Sequence, residues 1–301
     1  MKRGFSSGPL PVPCPLCAEP TQPRGETVHG PDPRVAGVPI ELGSHAAAMR
    51  ACPSCGLLFK RPFVPDETLL ACYAASPGDN WEHDPDPIKR RFDQIAALIE
   101  KHAPGRRVLD IGCSNGALLK HLGSNWERSG LEPSAEAARV ATERGISMLG
   151  ATLGDLPADV RFDAILAIDV LEHLTDPDAF FRGVCTHLAP GGVFVALTGD
   201  HDAWGWRLQG NAYWYAALPE HQVFYCRRTI EHLARRNAMQ LIAYRRTSHA
   251  RHKPTRVVRD ALRGLIHGLM RRMGLARRTP APGWLPARDH MLFVLRGPGS
   301  A

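Results

Sequence analysis

Residues 108–116 read VLDIGCSNG: a short apolar run, then a turn that carries Gly112 and Gly116. Ala117–Leu122 follows with helical character, so the stretch reads as strand, turn, helix. Glycines in such a turn let the backbone approach a ligand closely. An acid, Glu132, follows Gly112 by twenty residues, the spacing at which a carboxylate grips ribose hydroxyls. A dinucleotide fingerprint needs glycines at 112, 114 and near 117. The chain has Gly112, Ser114 and Ala117, so that fingerprint fails at its second glycine.

The same rhythm extends in both directions. Upstream, Ile88, Phe92, Ile95, Ala96, Leu98 and Ile99 share one face of a helix over 86–102, stopped by Pro104-Gly105. Downstream, strands are expected at 126–131, 146–149, 162–168, 193–197, 239–246 and 291–296, with helices at 135–144 and 227–237 between them. Asp176-Pro177 places a cap and a proline at the start of a helix that runs to about residue 188. Alternating strands and helices with apolar strands predict an α/β fold with a parallel sheet.

Five segments stand in order: VLDIGCSNG, GLEPS (130–134), GDLP (154–157), FDAILAIDVLEHLTDP (162–177) and LAPGGVF (188–194). Together they resemble a class I S-adenosylmethionine-dependent methyltransferase over about residues 88–248, returning at the last strand. The resemblance implies a Rossmann-like sheet of seven strands with the last antiparallel. It implies that Asp110 and Gly112 lie near the methionine part of the cofactor, with Cys113 and Gly116 in the same loop. Glu132 would hold the ribose, Asp155 would lie near the adenine, and Asp169 would border the reaction centre.

Eight cysteines fall in two groups. Cys14, Cys17, Cys52 and Cys55 form two C-x-x-C pairs across a gap of 34 residues; Cys72, Cys113, Cys185 and Cys226 are scattered and read as buried small apolar groups. Paired knuckles of this kind favour a metal over disulfides, and a structural zinc over a redox use. The segment CPSCGLLFKRPFVPDETLLACY (52–73) resembles the zinc-binding leader of many methyltransferases, including sugar C-methyltransferases. Those sugar enzymes carry a further C-terminal domain for which this chain is too short, so their substrate does not carry over.

Of the 301 residues, 44% are apolar and 22% charged, which suits a globular chain with a real core and excludes wholesale disorder. No apolar run approaches the roughly 18 residues that cross a bilayer, and the N-terminus shows no apolar signal region. A cytoplasmic protein is expected. The net charge of +7 is concentrated: residues 245–278 hold eleven Lys or Arg against Asp260, and the remainder of the chain is slightly acidic. Basicity therefore describes one segment, and nucleic acid is not an expected partner.

Two Glu-His pairs bear on the chemistry. Glu172-His173 reads first as packing beside the cofactor and second as a base. His221, in LPEHQVFY (218–225), is the candidate general base for an acceptor hydroxyl, with Glu220 to orient it. Trp204, Trp206, Tyr213, Trp214 and Tyr215 would wall an acceptor pocket or pack. Residues 254–273, PTRVVRDALRGLIHGLMRRM, repeat apolar pairs every four residues with arginines between. A lid or packing helix, a peripheral membrane helix and an RNA arm are the three readings, in that order.

The expected organisation is a zinc-binding module over 1–75, a linker helix over 76–104, a methyltransferase domain over 105–250, a basic helical insertion over 251–287 and a final strand over 288–301. The expected activity is methyl transfer to a small-molecule acceptor, at oxygen before carbon. An rRNA or tRNA methyltransferase and a non-catalytic scaffold are the alternatives.

Overall fold

A computed structural model describes residues 12–29, 32–42, 47–76, 85–248, 254–275, 281 and 288–299. The first eleven residues and the flanks of the basic insertion (251–253, 276–280 and 282–287) fall outside the described residues.

The N-terminal part holds β1 Gln22–Glu26, β2 Arg34–Val35, β3 Val38–Pro39, β4 Ala48–Ala51, β5 Leu58–Arg61 and helix α1 Asp66–Ala74. Helix α2 Pro85–His102 then leads into β6 Arg107–Ile111, α3 Ala117–His121, β7 Glu127–Leu131, α4 Ala135–Glu143, β8 Ser147–Gly150 and β9 Phe162–Ile168. The rest runs α5 Pro177–His187, β10 Leu188–Gly199, α6 Trp204–Gln209, α7 Trp214–Ala217, β11 Val223–Phe224, α8 Arg227–Arg236, β12 Gln240–Thr247, α9 Pro254–Arg272 and β13 His290–Arg296.

Seven strands form one sheet in the order β12-β13-β10-β9-β6-β7-β8. Strands β10, β9, β6, β7 and β8 are parallel, and β13 runs antiparallel to both neighbours. This is the Rossmann-like seven-stranded sheet, with its last strand antiparallel, that the motif order implied. Strand β9 is buried along almost its whole length, as a central strand covered on both faces must be. Ile95 and Ile99 of α2 pack on one face with Val108 and Val195. Phe181 and Val184 of α5 and Ile230 and Leu233 of α8 pack on the other with Leu109 and Phe194. The chain steps from β6 outward to β8 and returns to β9 beside β6. That reversal opens a crevice at the carboxyl ends of β6 and β9, where ligands of open α/β sheets bind.

Two findings depart from the sequence reading. The expected strand 193–197 is longer: β10 starts at Leu188, and the Pro190-Gly191-Gly192 turn is absorbed as a shift in register between Leu188 and Val193. The cysteine-rich segment also contains strands. β1, β4 and β5 form an antiparallel sheet completed by β11. The N-terminal segment is therefore closed by two residues far along the chain, Val223 and Phe224, which follow Glu220-His221. Its Cys14, Cys52, Leu57 and Phe59 share a core with the large sheet.

Helix α9 lies against α6. The side turned to the protein carries Asp260, Gly264 and His267, all buried. Val258, Leu262, Leu265, Ile266, Leu269 and Met270 are exposed, Leu269 at 60% and Ile266 at 59%. The helix thus meets α6 with its polar side inward and leaves its apolar side exposed.

Candidate active site

The loop after β6 is built on three residues in the left-handed region: Gly112 (φ 69), Ser114 (φ 48) and Gly116 (φ 73). A side chain at Gly112 would also meet Val170 Cγ2 at 2.9 Å. Ser114 adopts the same kind of φ with a side chain in place.

The loop's amides point inward. Gly112 and Cys113 N–H donate to the Leu131 carbonyl at 2.8 and 3.1 Å, and Gly116 N–H donates to Cys113 at 2.9 Å. Ser114 N–H donates to Glu132 Oε2 at 2.8 Å, and Ala117 N–H to Asn115 Oδ1 at 3.1 Å. Glu132 Oε1 accepts from Ser134 N–H at 2.9 Å, so one carboxylate braces the loop against the start of α4. Burial raises its pKa, and the two amides oppose that shift.

A phosphate cradle needs free amides, and this loop has spent them. What it presents instead is an acid. Asp110 is 3% exposed, and its Oδ1 is buried without a hydrogen-bond partner. Burial, with Glu132 second, pushes its pKa up to about 7. An unsatisfied buried carboxylate oxygen costs about 1–3 kcal/mol or more, and a cationic amino group would satisfy it.

Cys113 lies in this loop, as expected for a residue of the cofactor-binding set. Its amide is used, and its Sγ is buried where a Cβ on Gly130 would come within 2.5 Å of it, 4.0 Å from Met148 Sδ. Burial pushes the thiol's pKa up. It packs the loop onto β7 and β8. Asp155 Oδ2 accepts from Ala151 and Thr152 N–H at 2.9 and 2.8 Å, which hold its pKa down. It pins the turn after β8.

At the end of β9, Asp169 has φ 54 and accepts from Arg91 Nη1 of α2 at 3.0 Å. Beyond it, Glu172 is 1% exposed. Burial, then the nearby Asp169, raises its pKa to about 7. Its Oε2 accepts from Thr198 Oγ1 at 2.8 Å, while Oε1 has no hydrogen-bond partner.

His173 and His221 meet edge to face with ring centroids 4.9 Å apart. His173 Nδ1 sits 2.8 Å from the Tyr73 hydroxyl of α1. His221 Nδ1 sits 2.9 Å from the Tyr215 carbonyl, and its ring lies 4.0 Å from that tyrosine's ring. Burial, then His173 and Lys60, holds the His221 pKa well below its usual value, so the ring is neutral at neutral pH. A carbonyl can only accept, so Nδ1 carries the proton and Nε2 keeps its lone pair.

The orienting partner of His221 is thus the Tyr215 carbonyl, not Glu220. The Glu220 carboxylate keeps a buried Oε2 without a hydrogen-bond partner, and burial raises its pKa. The Gln222 N–H bond to the Glu172 carbonyl, 2.7 Å, ties this segment to the end of β9. The aromatics divide. Trp206, Tyr213, Trp214 and Tyr215 pack with Met49, Leu58 and Phe224, Tyr215 also meeting His221, whereas Trp204 is 54% exposed. Sequence reasoning missed Arg91, Tyr73 and Thr198, none of which sits in one of the five segments.

Away from this crevice, Cys14 Sγ is 3.6 Å from Cys55 Sγ, and Cys17 Sγ is 3.5 Å from Cys52 Sγ. All four sulfurs lie within 4.8 Å of one another. A disulfide needs about 2.05 Å. An ion about 2.3 Å from four tetrahedral sulfurs spaces them about 3.7 Å apart. The Cys55 N–H reaches back to Cys52 Sγ at 3.5 Å, closing the knuckle.

A sequence profile described as a methyltransferase domain matches residues 81–243. The chain is 38% identical over 122 residues to the ubiquinone biosynthesis O-methyltransferase of Bradyrhizobium sp. (strain ORS 278), covering 38% of this chain and 47% of that protein. It is 39% identical over 101 residues to the protein of that name from Methylobacterium nodulans (strain LMG 21967 / CNCM I-2342 / ORS 2060), covering 30% and 40%. The chain spans less than half the length of these two curated relatives. Among solved structures it is similar in fold to the N-methyltransferase NodS from Bradyrhizobium japonicum WM9 in complex with S-adenosyl-L-homocysteine. That likeness has a TM-score of 0.50 and 18% identity, covering 77% of this chain and 97% of that one. It is also similar to the complex of the Haloferax volcanii Trm112 methyltransferase activator and a putative methyltransferase, with a TM-score of 0.50, 17% identity and coverage of 78% and 99%.

Proposed function

The chain belongs to the methyltransferase-domain family, and from that premise we propose that it transfers a methyl group from S-adenosylmethionine to a hydroxyl oxygen of a small molecule. The observation that carries the cofactor assignment is the loop after β6, with its amides spent internally and Asp110 Oδ1 left unpartnered. That arrangement suits the amino group of a methionine moiety and rejects a pyrophosphate. Asp110 and the Gly112–Gly116 loop would hold the methionine end, Glu132 the ribose, and the Asp155 turn the adenine, with Asp169 at the reaction centre. Calorimetry tests this. S-adenosylmethionine and S-adenosylhomocysteine should bind, and NADH binding in their place would overturn the reading.

The bound donor supplies a methyl group already electrophilic on its sulfonium. The protein's task is to align an acceptor oxygen with it and remove that oxygen's proton. His221 is the residue proposed to act on the hydroxyl, because Nε2 keeps its lone pair while the Tyr215 carbonyl fixes the ring. The ubiquinone O-methyltransferase relatives support oxygen as the atom methylated.

The four-cysteine cluster is proposed to hold a structural zinc, and the N-terminal segment to fold around it as a module ahead of the methyltransferase domain. Because β5 pairs with β11 just past His221, zinc removal should reach the active site. A chelator strong enough to strip the thiolates should raise amide exchange across β4, β5 and β11, lower turnover, and leave β6–β9 protected. Unchanged exchange at Val223 and Phe224 after full zinc loss would contradict that coupling.

Helix α9 is proposed to lie on an anionic membrane surface. Its outward apolar side is flanked by Arg259, Arg263 and Arg272, each exposed, a pairing of charges and apolar groups that suits acidic headgroups over an acyl layer. No helix among the described residues is long and apolar enough to span a bilayer. In flotation assays the full chain should rise with phosphatidylglycerol vesicles and far less with phosphatidylcholine. Leu265→Glu with Ile266→Glu, at exposed positions, should abolish this without loss of folding; retained flotation in that variant would rule the surface out.

A further inference from the structure

Glu172, His173 and His221 each offer one ligand atom, and the three atoms lie within 4.8 Å of one another. The remaining atom of each is already engaged. Tyr73 holds His173 Nδ1, the Tyr215 carbonyl holds His221 Nδ1, and Thr198 Oγ1 donates to Glu172 Oε2. That leaves Nε2 on each ring and Glu172 Oε1, a buried oxygen with no hydrogen-bond partner.

The Tyr215 hydroxyl lies near the Glu172 carboxylate, and the Glu220 and Asp169 backbones lie near the His173 ring, but the three side chains do not pair with one another. His173 Nε2 is 3.8 Å from Glu172 Oε1, beyond hydrogen-bond reach. Burying a bare carboxylate oxygen beside two imidazoles is costly unless something binds there. Metal-bound histidines have this very outer arrangement, with the second nitrogen fixed by a carbonyl, carboxylate or other polar group. The three residues come from two separated segments, and each is supported by a different neighbour, from α1, from β10 and from α7.

We propose that Glu172, His173 and His221 form a two-histidine, one-carboxylate site for a divalent cation of the Mn(II), Fe(II), Co(II) or Zn(II) type, with open positions for the acceptor's oxygen. This ligand set suits such ions and leaves coordination positions free. Ion binding stands on the geometry alone; the ion's task rests on the reading that an oxygen is methylated. There it would act as a Lewis acid. The bound hydroxyl gives its proton to water, the oxygen–methyl bond forms as the carbon–sulfur bond breaks, and the electron pair of that bond stays on sulfur. S-adenosylhomocysteine and a methyl ether leave. His221 is then a ligand, and no protein base is required.

Mn(II) is the probe, because thiolate clusters prefer softer ions and the four-cysteine site will not compete for it. The zinc-loaded full chain is titrated with Mn(II), free ion is read by electron paramagnetic resonance, and S-adenosylmethionine binding is measured on the same samples. One Mn(II) per chain is expected. Glu172→Gln and His221→Ala should weaken it at least about tenfold, and Tyr73→Phe, which leaves all three ligands in place, by about 10- to 100-fold. Should Glu172→Gln fail to fold, Tyr73→Phe carries the comparison. Protein that binds S-adenosylmethionine yet takes up no Mn(II), or takes it up equally in Tyr73→Phe and wild type, overturns the metal site and leaves His221 as the base. Failure to bind S-adenosylmethionine overturns the methyltransferase reading instead.

Discussion

Replacing His221 with alanine should lower methyl-transfer turnover by about 10²- to 10⁴-fold and leave S-adenosylmethionine affinity nearly unchanged. The side chain is buried at 5% exposure with a fixed, neutral ring, so its Nε2 can take part in the reaction without first losing a proton. Its loss removes the step that frees the acceptor oxygen, whether Nε2 takes the proton itself or holds the ion that acidifies it. The cofactor's expected contacts lie at the ends of β6, β7 and β8, on other residues. The variant is checked by single-turnover kinetics and by calorimetry with S-adenosylmethionine. His173→Ala should differ by also losing stability, because its ring joins Tyr73 of α1 to the segment after β9. Near-full turnover of His221→Ala on the true acceptor would show that alignment alone carries catalysis.

Glu132→Ala should weaken S-adenosylmethionine and S-adenosylhomocysteine together, by roughly 10- to 150-fold, the equivalent of about 1.5–3 kcal/mol for lost hydrogen bonds to a charged group. Two losses combine. The ribose loses its carboxylate, and the Ser114 and Ser134 amides lose the acceptor that braces the loop to α4. Glu132→Gln keeps one carbonyl oxygen and should fall between the two. If Glu132→Ala binds the cofactor as wild type does, the ribose assignment is wrong.

The sheet was legible because its signals are local. The run Phe162–Ile168 is apolar except at Asp163 and is a strand with those bounds; Asp176 caps α5 through the Ala179 amide, as Asp-Pro predicts. What the sequence hid depends on pairs far apart. Nothing in LPEHQVFY announces that Val223 and Phe224 pair with Phe59 and Leu58, and proline and glycine density disguised β1, β4 and β5 as loop. Ser114 looked like a departure from glycine, yet its side chain is accommodated at φ 48. Gly112 and Cys113 lie in a loop that reads as a donor cradle, and only coordinates reveal that their amides bond to Leu131.

The candidate site was half legible for the same reason. Asp110, Glu132 and Asp169 sit at strand ends, where strand periodicity alone puts them at one edge of the sheet. His173 and His221 are 48 residues apart, and their 4.9 Å approach follows from the Gln222–Glu172 backbone bond. Amphipathic spacing in 254–273 was plain, but which face meets the protein was not. Burial of Asp260 and His267 inverts the usual rule that the apolar side packs inward.

The most direct test is to incubate purified full chain with methyl-labelled S-adenosylmethionine and whole-cell extract, then separate the extract by class. Label in organic-soluble or small polar material, released as methyl ether and lost with His221→Ala, is the expected result. Label in RNA would contradict the small-molecule assignment, and no label in any fraction would contradict methyl transfer itself.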